Sequence, residues 1–222
     1  MKIATWNLER VVKNSTKSLT IIESLKNINA DILILTETNE FIDLGEDYNI
    51  LHSTKLTVTL YKEGERRVSI YSKYKILGQS ETFNNETSIC STLATPFGKL
   101  AVYGTIIGIF GNRNENFNTD LDKQLLDFEK FSKQENICIA GDFNISFFDN
   151  YYFTETGRLK LNSAFENLHL RNLTKNIAEN IDHIVMTEKF IENCNFKTET
   201  WNLDKKLSDH IGVCVTISKL DN

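Results

Sequence analysis

The segment that most constrains the fold of this chain is N-I-C-I-A-G-D-F-N-I at residues 136–145. Its short apolar run, which Gly141 ends, is typical of a strand buried on both faces, although periodicity alone does not exclude a buried helix segment. The Gly-Asp-Phe-Asn that follows predicts a turn, because glycine adopts backbone angles that other residues avoid. If the chain is still extended there, Asp142 and Asn144 point the same way at the carboxyl end of a strand, where open α/β sheets bind ligands. The alternative is that these two residues only form an Asx-turn.

The rest of the chain alternates short strands with amphipathic helices. Apolar runs predict strands at residues 2–6, 32–35, 87–95, 99–107, 181–186 and 211–217. Helical spacing of apolar residues predicts helices at residues 16–28, 120–132 and 158–169. Apolar and polar residues alternate through Leu56, Val58 and Leu60 and again through residues 68–71, which predicts a hairpin or meander. The strand–helix–strand order near the N-terminus favours parallel strands, so we expect an α/β or α+β fold with mixed sheets and helices outside them.

The composition is that of a soluble globular protein. At 222 residues, with 41% hydrophobic and 25% charged residues, we expect a single domain over residues 1–222. The formal net charge of −5 argues against tight non-specific binding to duplexes through charge alone, but it does not exclude a local basic groove. The densest basic cluster comprises Lys62, Arg66, Arg67, Lys73 and Lys75. We interpret this cluster as one solvated face of a hairpin rather than as a track for a nucleic-acid backbone.

The spacing of the cysteines and the N-terminal residues indicate the cellular compartment in which we expect the protein. The four cysteines are dispersed without a C-x-x-C pair, which argues against a zinc site. The N-terminal M-K-I-A-T-W-N has no apolar signal segment, and no apolar run approaches the length that spans a membrane. We therefore expect a reduced, cytoplasmic protein that does not act at a membrane. The alternative is a mature secreted protein whose signal peptide lies outside this sequence.

Five segments share one arrangement, in which an apolar run meets a small set of polar residues. They are T-W-N-L-E, L-T-E-T, A-G-D-F-N, I-D-H-I and S-D-H-I. Together they contribute Asn7, Glu9, Glu37, Asp142, Asn144, Asp182, Asp209 and His210. Carboxylates that converge without a cation repel one another and raise their own pKa values. A hard divalent ion resolves that conflict, and oxygen ligands of this kind suit Mg²⁺ or Mn²⁺.

In their order along the chain, these five segments resemble the motifs of the endonuclease/exonuclease/phosphatase superfamily. G-D-F-N or S-D-H alone is a weak signal, but the ordered set spans nearly the whole chain and is a strong one. The resemblance implies a DNase I-like four-layer sandwich, in which two mixed β-sheets are flanked by helices. It also implies a metal-dependent hydrolase that cleaves phosphoester bonds by in-line attack of water.

The resemblance also assigns the metal ligands. Glu37 is the expected principal ligand of Mg²⁺ or Mn²⁺, and Asp209 completes the metal-binding edge. Asn7 and Glu9 are expected beside the ion, where they would orient it or its waters. Each assignment has a structural alternative: Asn7 caps a turn, Glu9 is a solvated loop charge, and Glu37 pairs with a surface lysine.

The catalytic roles follow from the same resemblance. Asp142 would orient or deprotonate the attacking water, and Asn144 would contact the phosphate. His210 would donate a hydrogen bond to the phosphoryl oxygens, with Asp182 holding its ring. The structural alternatives are that Asp182 closes a turn and that His210 is a satisfied, partly buried imidazole. His183 adjoins Asp182 and so faces the opposite side of a strand, and we expect it to be structural.

The chain departs from the family pattern after the middle strand, where many members carry histidine or tyrosine. Here V-Y-G-T-I-I-G places Ile106 at that position, and isoleucine cannot donate a hydrogen bond to phosphate. Asn112 and Arg113 in the following loop are candidate replacements, because Arg113 could grip phosphate with two nitrogens. Tyr103 is a weaker candidate because it lies within the strand. Arg113 has the alternative of being a solvated loop charge.

Three functional hypotheses remain open. The leading one is a monomeric nuclease that acts on DNA or RNA, a preference that rests on the resemblance and not on a base-reading motif. The second is a phosphodiesterase or phosphatase for a small soluble phosphoester, which the acidic net charge and short length fit equally well. The third is a non-catalytic phosphate-binding module of the same fold, for which Ile106 is the best argument. The aromatic stretch at residues 147–153 either stacks bases or, as we favour for at least half of it, packs in the core.

Overall fold

The computed structural model of the protein describes residues 1–56 and 61–220. Its strands are β1 (Lys2–Asn7), β2 (Ile32–Asn39), β3 (Asn49–His52), β4 (Glu65–Ser72), β5 (Ile76–Ser80), β6 (Ser88–Thr95), β7 (Gly98–Ile106), β8 (Ile137–Asp142), β9 (Leu170–Asn172), β10 (Asp182–Thr187), β11 (Cys194–Trp201) and β12 (Gly212–Lys219). Its α-helices are α1 (Thr16–Ile28), α2 (Asn116–Ser132) and α3 (Glu155–Asn167), and a 3₁₀ helix covers Glu188–Ile191. The alternation predicted through Val58 and Leu60 lies outside the described residues.

The described strands form two six-stranded mixed sheets. The strand orders are β11-β12-β1-β2-β4-β3 in the first sheet and β5-β6-β7-β8-β10-β9 in the second. Within each sheet one central pair is parallel, β1 with β2 and β7 with β8, and the other neighbours are antiparallel. The strand–helix–strand unit at the N-terminus is therefore parallel, as its pattern predicts.

Side chains that alternate along each central strand divide the core into layers. In β2, Ile34 lies between the two sheets, whereas Leu35 packs in a cluster that includes residues of α1. In β8, Ala140 lies between the sheets, whereas Ile139 packs with residues of α2 and α3. The order of layers is helix, sheet, sheet, helix, which confirms the predicted four-layer sandwich. The run at the start of β8 is buried on both faces, as its apolar composition predicts.

Local sequence explains where the helices begin. Ser15 caps α1, because its Oγ accepts a hydrogen bond from the Ser18 N–H at 3.0 Å. Thr154 caps α3 in the same way and accepts from the Gly157 N–H at 3.2 Å. Caps of this kind stabilise a helix by about 1 kcal/mol. None of the helices in the described residues is long and apolar enough to span a membrane.

The structure adds four strands that the sequence pattern does not predict, and all four lie at sheet edges: β3, β5, β9 and β11. β5 and β11 are edge strands with mostly exposed or half-buried side chains, so neither carries a clear apolar alternation. β9 has only three residues. α2 and α3 begin earlier than predicted, at Asn116 and Glu155. In α2 the buried Phe117 extends the apolar stripe by one turn, whereas the first turn of α3 is mostly polar.

Candidate active site

Polar side chains from both sheets meet at one edge of the sandwich. Asn7 ends β1, Asp142 ends β8 and Asp182 begins β10, where the antiparallel register makes Asp142 and Asp182 cross-strand partners. Asn7 Nδ2 donates a hydrogen bond to Asp142 Oδ2 at 3.1 Å, so a contact between buried side chains joins the two sheets. Asn7, Asp142 and Asp182, which were predicted from three separate motifs, therefore meet at this edge.

Asp182 and His210 form a buried pair within this cluster. His210 Nδ1 lies 2.6 Å from Asp182 Oδ2, and the carboxylate holds the ring proton on Nδ1. Burial lowers the pKa of His210, but the charges of Asp182 and Asp142 and the hydrogen bond outweigh it and raise the pKa to about 10. The imidazole is therefore cationic at neutral pH, and its Nε2–H is left to donate elsewhere. Asp182 Oδ1 is buried and has no hydrogen-bond partner within the described part of the chain.

The loop that carries His210 is held by residues that the motifs do not single out. Ser208 Oγ donates to the Asn7 carbonyl at 2.7 Å and accepts from the His210 N–H at 3.1 Å. The His210 carbonyl accepts from Asn202 Nδ2 at 2.7 Å and from Trp6 Nε1 at 3.0 Å. These contacts tie the loop to β1, so the position of the imidazole follows from the packing of β1 and β12. Ser208 lies within S-D-H-I and Trp6 within T-W-N-L-E, whereas Asn202 belongs to none of the five motifs.

Asp142 and Asn144 form the Asx-turn that was the structural alternative, and they also belong to the cluster. The Asn144 N–H donates to Asp142 Oδ1 at 2.8 Å. Asn144 Nδ2 donates to the carbonyls of Ile107 at 3.0 Å and Gly108 at 3.2 Å, in the loop after β7. The amide of Asn144 thus holds that loop, which differs from the expected direct contact with phosphate. Burial, followed by the charge of Asp182, raises the pKa of Asp142 to about 7 although His210 opposes the shift.

Glu37 lies beside an arginine that the sequence analysis assigned to a solvated face. The register of β2 and β4 places Arg67 opposite Glu37, and Arg67 Nη1 lies 3.4 Å from Glu37 Oε1. The Arg67 side chain is only 6% exposed, which corrects its assignment to the surface. Burial raises the pKa of Glu37, and the charges of Arg67 and His210 oppose that rise. Arg67 Nη2 also donates to the Tyr61 hydroxyl, and the guanidinium of Arg67 packs over the Tyr61 ring.

Asp209 and Glu9 are at the rim of the cluster. The Asp209 side chain is 70% exposed, and its Oδ1 lies 3.7 Å from His210 Nε2. Glu9 differs from the expectation, because its carboxylate pairs with Lys17 at 2.7 Å. The Glu9 backbone takes a positive φ of 51°, and its N–H donates to Asn7 Oδ1. That contact orients Asn7, which is a role for the main chain of Glu9 and not for its charge.

Of the candidate replacements for a histidine at position 106, Asn112 and Tyr103 make structural hydrogen bonds, and Arg113 is exposed. Ile106 is buried in the layer between the sheets, as its side chain requires. Asn112 is buried and donates through Nδ2 to the Asn144 carbonyl at 2.7 Å, so it braces the loop after β8. Arg113 is exposed in the loop between β7 and α2. Tyr103 faces α2 and donates to Asp127 Oδ2 at 3.0 Å.

His183 is structural, as the alternation of β10 predicts. Its Nε2 lies 2.9 Å from the Ile145 carbonyl and its Nδ1 lies 3.1 Å from Thr174 Oγ1. Burial lowers its pKa to about 4, so the ring is neutral. In the aromatic stretch that follows β8, Phe147 packs against this ring, whereas Phe148 is exposed. Core packing therefore accounts for part of that stretch.

The arrangement fits a divalent cation. Potential ligand atoms of Asp142, Asp182 and His210 lie within 4.8 Å of one another, but a protonated His210 ring has no free lone pair, so the carboxylates are the available ligands. Because Asp182 engages His210 Nδ1, oxygen atoms predominate among the remaining donors of the cluster, and hard cations such as Mg²⁺ and Mn²⁺ prefer oxygen. The buried, unpartnered Asp182 Oδ1 and the raised pKa of Asp142 both indicate carboxylates that lack sufficient neutralisation, which a cation would supply.

Comparisons with known proteins bear on the family and the fold of this chain. The model described as the Endonuclease/Exonuclease/phosphatase family matches residues 4–210. Comparison with curated protein sequences gives no significant match.

Several solved structures share the fold over almost their whole length. An AP endonuclease from Archaeoglobus fulgidus has a TM-score of 0.70 and 19% identity, covering 98% of this chain and 99% of that chain. The endonuclease domain of TRAS1, a telomere-specific non-LTR retrotransposon, has a TM-score of 0.69 and 14% identity. The match covers 100% of this chain and 99% of that chain. The 3′ phosphatase NExo from Neisseria, bound to a product DNA hairpin, has a TM-score of 0.71 and 14% identity, covering 98% and 99%. At these identities the likeness establishes the fold.

Proposed function

Because this chain belongs to the endonuclease/exonuclease/phosphatase family, we propose that it is a metal-dependent phosphoesterase and, within that class, a nuclease. The observation that carries the proposal is the buried Asp182–His210 pair beside Asp142 at the edge where the two sheets meet. The preference for DNA or RNA is supported by similar folds in an AP endonuclease and in a phosphatase bound to a DNA hairpin. We further propose that the enzyme is a single-domain, cytoplasmic monomer.

In this proposal Asp142 orients the attacking water and accepts its proton. The raised pKa of Asp142 supports that role, because burial makes this carboxylate a stronger proton acceptor than an exposed aspartate. Asn7 Nδ2 donates to Asp142 Oδ2 and directs the carboxylate. The Asn144 N–H holds the other oxygen, so both oxygens of the base have a defined orientation.

His210 stabilises the charge that develops on the phosphoryl oxygens and the leaving oxygen. The cationic ring of His210 supports this role. Asp182 accepts its Nδ1–H, and its Nε2–H points away from that carboxylate. When bound, Mg²⁺ or Mn²⁺ adds positive charge at the same oxygens. Glu37, Asn7 and Asp209 are the residues that we propose would hold it. Arg113 remains the proposed phosphate contact from the loop after β7, and the buried Asn112 is not included.

A small soluble phosphoester is the second candidate substrate. The acidic net charge of −5 favours it, because a nuclease gains affinity from basic residues along the backbone of its substrate. A non-catalytic phosphate-binding module is the third candidate, on the ground that Ile106 is buried where many family members carry a hydrogen-bond donor.

The test is hydrolysis of a panel of phosphoesters with Mg²⁺ or Mn²⁺, against EDTA. The panel holds plasmid DNA, single-stranded DNA, RNA, a duplex with an abasic site and a chromogenic phosphodiester. We expect metal-dependent cleavage of nucleic acid that Glu37→Ala abolishes and that Glu9→Ala, at the neighbouring surface ion pair, leaves intact. Cleavage of the chromogenic ester alone would favour the small substrate. No turnover by a folded protein that binds Mn²⁺ would favour the binding module.

A further inference from the structure

A small cavity opens beside the candidate active site, on the other side of the loop that follows β7. Its volume is about 160 Å³. Two aromatic rings, Phe110 and Phe117, and the carboxylate of Asp120 line it, together with Asn84, Asn114 and Asn116. Nothing in the proposed mechanism uses these residues.

The cavity and the active site share one segment of backbone. The Gly108 carbonyl accepts from Asn144 Nδ2 at 3.2 Å on the active-site side. The Gly108 N–H donates to Asp120 Oδ2 at 2.6 Å on the cavity side. The Ile107 N–H donates to the Asp142 carbonyl at 2.9 Å, so the proposed base is anchored to the same segment. Gly108 is two residues beyond Ile106, the β7 partner of Asp142, so the segment that borders the cavity starts beside the proposed base.

The lining of the cavity selects a class of ligand. Phe110 is 70% exposed, although an aromatic ring of that size is usually covered. The described residues that line the cavity include no lysine, arginine or histidine, so it is not an anion site. Its polar side chains are carboxamides and the hydroxyl of Thr87, which donate and accept, and a half-buried carboxylate, which accepts. An aromatic wall with such groups at its margin suits a flat, neutral heteroaromatic ring that has hydrogen-bonding atoms along its edge.

The size of the cavity limits that ring to a single base. Pockets for drug-sized ligands start at about 300 Å³, roughly twice this volume. A base pair is therefore too large, and the base must be free of its partner to enter.

We propose that this cavity binds one unpaired nucleobase of the substrate, next to the scissile phosphate, with the base stacked on Phe110. The inference rests on the proposed nuclease function and narrows its substrate to single strands, frayed ends or loops. Phe110 is then a specificity-determining residue, and it takes no part in the chemical step.

The test measures binding in the presence of EDTA, which removes divalent cations and so prevents hydrolysis. Short single strands carry 2-aminopurine at successive positions, and matched strands carry an abasic residue at each of those positions. We expect binding to quench 2-aminopurine at one position and Phe110→Ala to weaken binding about tenfold with loss of the quenching, as expected for one lost base–aromatic stack. Phe110→Tyr should bind with the affinity and the 2-aminopurine quenching of the wild type, because tyrosine keeps the aromatic ring. Leu126→Ala removes an apolar side chain that is 66% exposed on α2 outside the cavity, and it should change neither.

Two results would overturn the cavity proposal: equal affinity for base-containing and abasic strands, or unchanged binding by Phe110→Ala. The same strands are then incubated with Mg²⁺ to separate this proposal from the nuclease function. Cleavage that is unaffected by Phe110→Ala and by the abasic residues refutes the base cavity and leaves the nuclease intact. Quenching that depends on Phe110 without any cleavage refutes the nuclease and leaves a base-binding cavity.

Discussion

At the scale of single residues, the hydrogen bond between Asp182 and His210 determines what chemistry this site can perform. It fixes the imidazole proton on Nδ1, leaves Nε2–H to face a substrate, and keeps the ring cationic. The sequence names both residues but places them in separate motifs. Asp182 begins β10 of the second sheet, and His210 lies in the loop before β12 of the first sheet. Their 2.6 Å separation is a property of the folded chain.

Asp182→Asn should lower hydrolysis by about 10²- to 10⁴-fold, because an amide lacks the negative charge that keeps the His210 ring protonated and oriented. The pKa of His210 should also fall from about 10 towards its ordinary value, since the charge of Asp182 is the largest influence that raises it. An NMR titration of the His210 ring in EDTA measures this shift independently of activity. Asp122→Asn, which breaks a surface ion pair with Lys160, is the control and should leave both readouts unchanged.

Arg67→Met should weaken Mn²⁺ binding about tenfold or more, which is the usual cost of removing a residue that orients a metal ligand. The reason is that Glu37 loses the buried cation that lies 3.4 Å from its Oε1. Arg67→Lys should recover part of the affinity. Arg66→Met is the matched control, because the neighbouring Arg66 pairs with the surface residue Glu40. Electron paramagnetic resonance of free Mn²⁺ gives the affinities, and equal values for the two methionine variants would contradict a role for Arg67.

His183 should make the metal-free protein less stable in acid. Its pKa is lowered from 6.5 to about 4 by burial, so the unfolded chain binds a proton that the folded chain refuses. The stability that His183 contributes is present above pH 6.5 and is lost as the pH falls towards 4, up to about 3 kcal/mol. Urea denaturation across this range should give a steeper acid decline for the wild type than for His183→Gln. Parallel curves would contradict the prediction.

At the scale of elements, the strands and helices with strong apolar patterns are those that the sequence predicts. β1, β2, β7, β8 and β12 are buried on both faces, and their runs of apolar residues are visible without any structure. The exposed edge strands β5 and β11 have no such pattern, because a strand with little contact to a core does not need one. Prediction therefore succeeds where burial constrains composition, and it fails at the edges.

Gly141 shows how strongly one position in β8 is constrained. A Cβ at this residue would lie 1.9 Å from the Thr105 carbonyl oxygen of β7, and the φ of 137° disfavours other residues. Gly141→Ala should therefore cost about 3 kcal/mol or more of the free energy of unfolding. Gly78→Ala in β5 is the matched control, because no atom lies within 4 Å of its added Cβ, and it should be neutral or slightly stabilising. Urea denaturation of both variants decides the prediction.

At the scale of the whole molecule, the site exists only because the two sheets pack face to face. Asn7 belongs to the first sheet and Asp142 to the second, and their side-chain hydrogen bond crosses between the sheets. The acidic net charge of −5 also acts at this scale, because it limits how many phosphates the protein can contact.

A nuclease with this charge should still show a salt dependence that a small-ester hydrolase lacks. For two or three contacted phosphates of a single strand, raising the salt from about 50 to about 200 mM should weaken binding about tenfold. The chromogenic diester should respond weakly, because it makes one phosphate contact. The measurement is the KM of each substrate against salt concentration. An equal response of the two substrates would contradict binding along a nucleic-acid backbone.

The sequence by itself determined the layers of the fold and the residues at the strand ends, because burial forces apolar runs and the ends of those runs carry the polar motifs. Only the tertiary structure decided the partners. In the folded protein Glu9 pairs with Lys17, and Arg67 lies beside Glu37. The side chains of Asn112 and Asn144 donate hydrogen bonds to the carbonyls of neighbouring loops. Local sequence carries no information about these contacts, because each depends on where another strand or loop of the folded chain comes to lie.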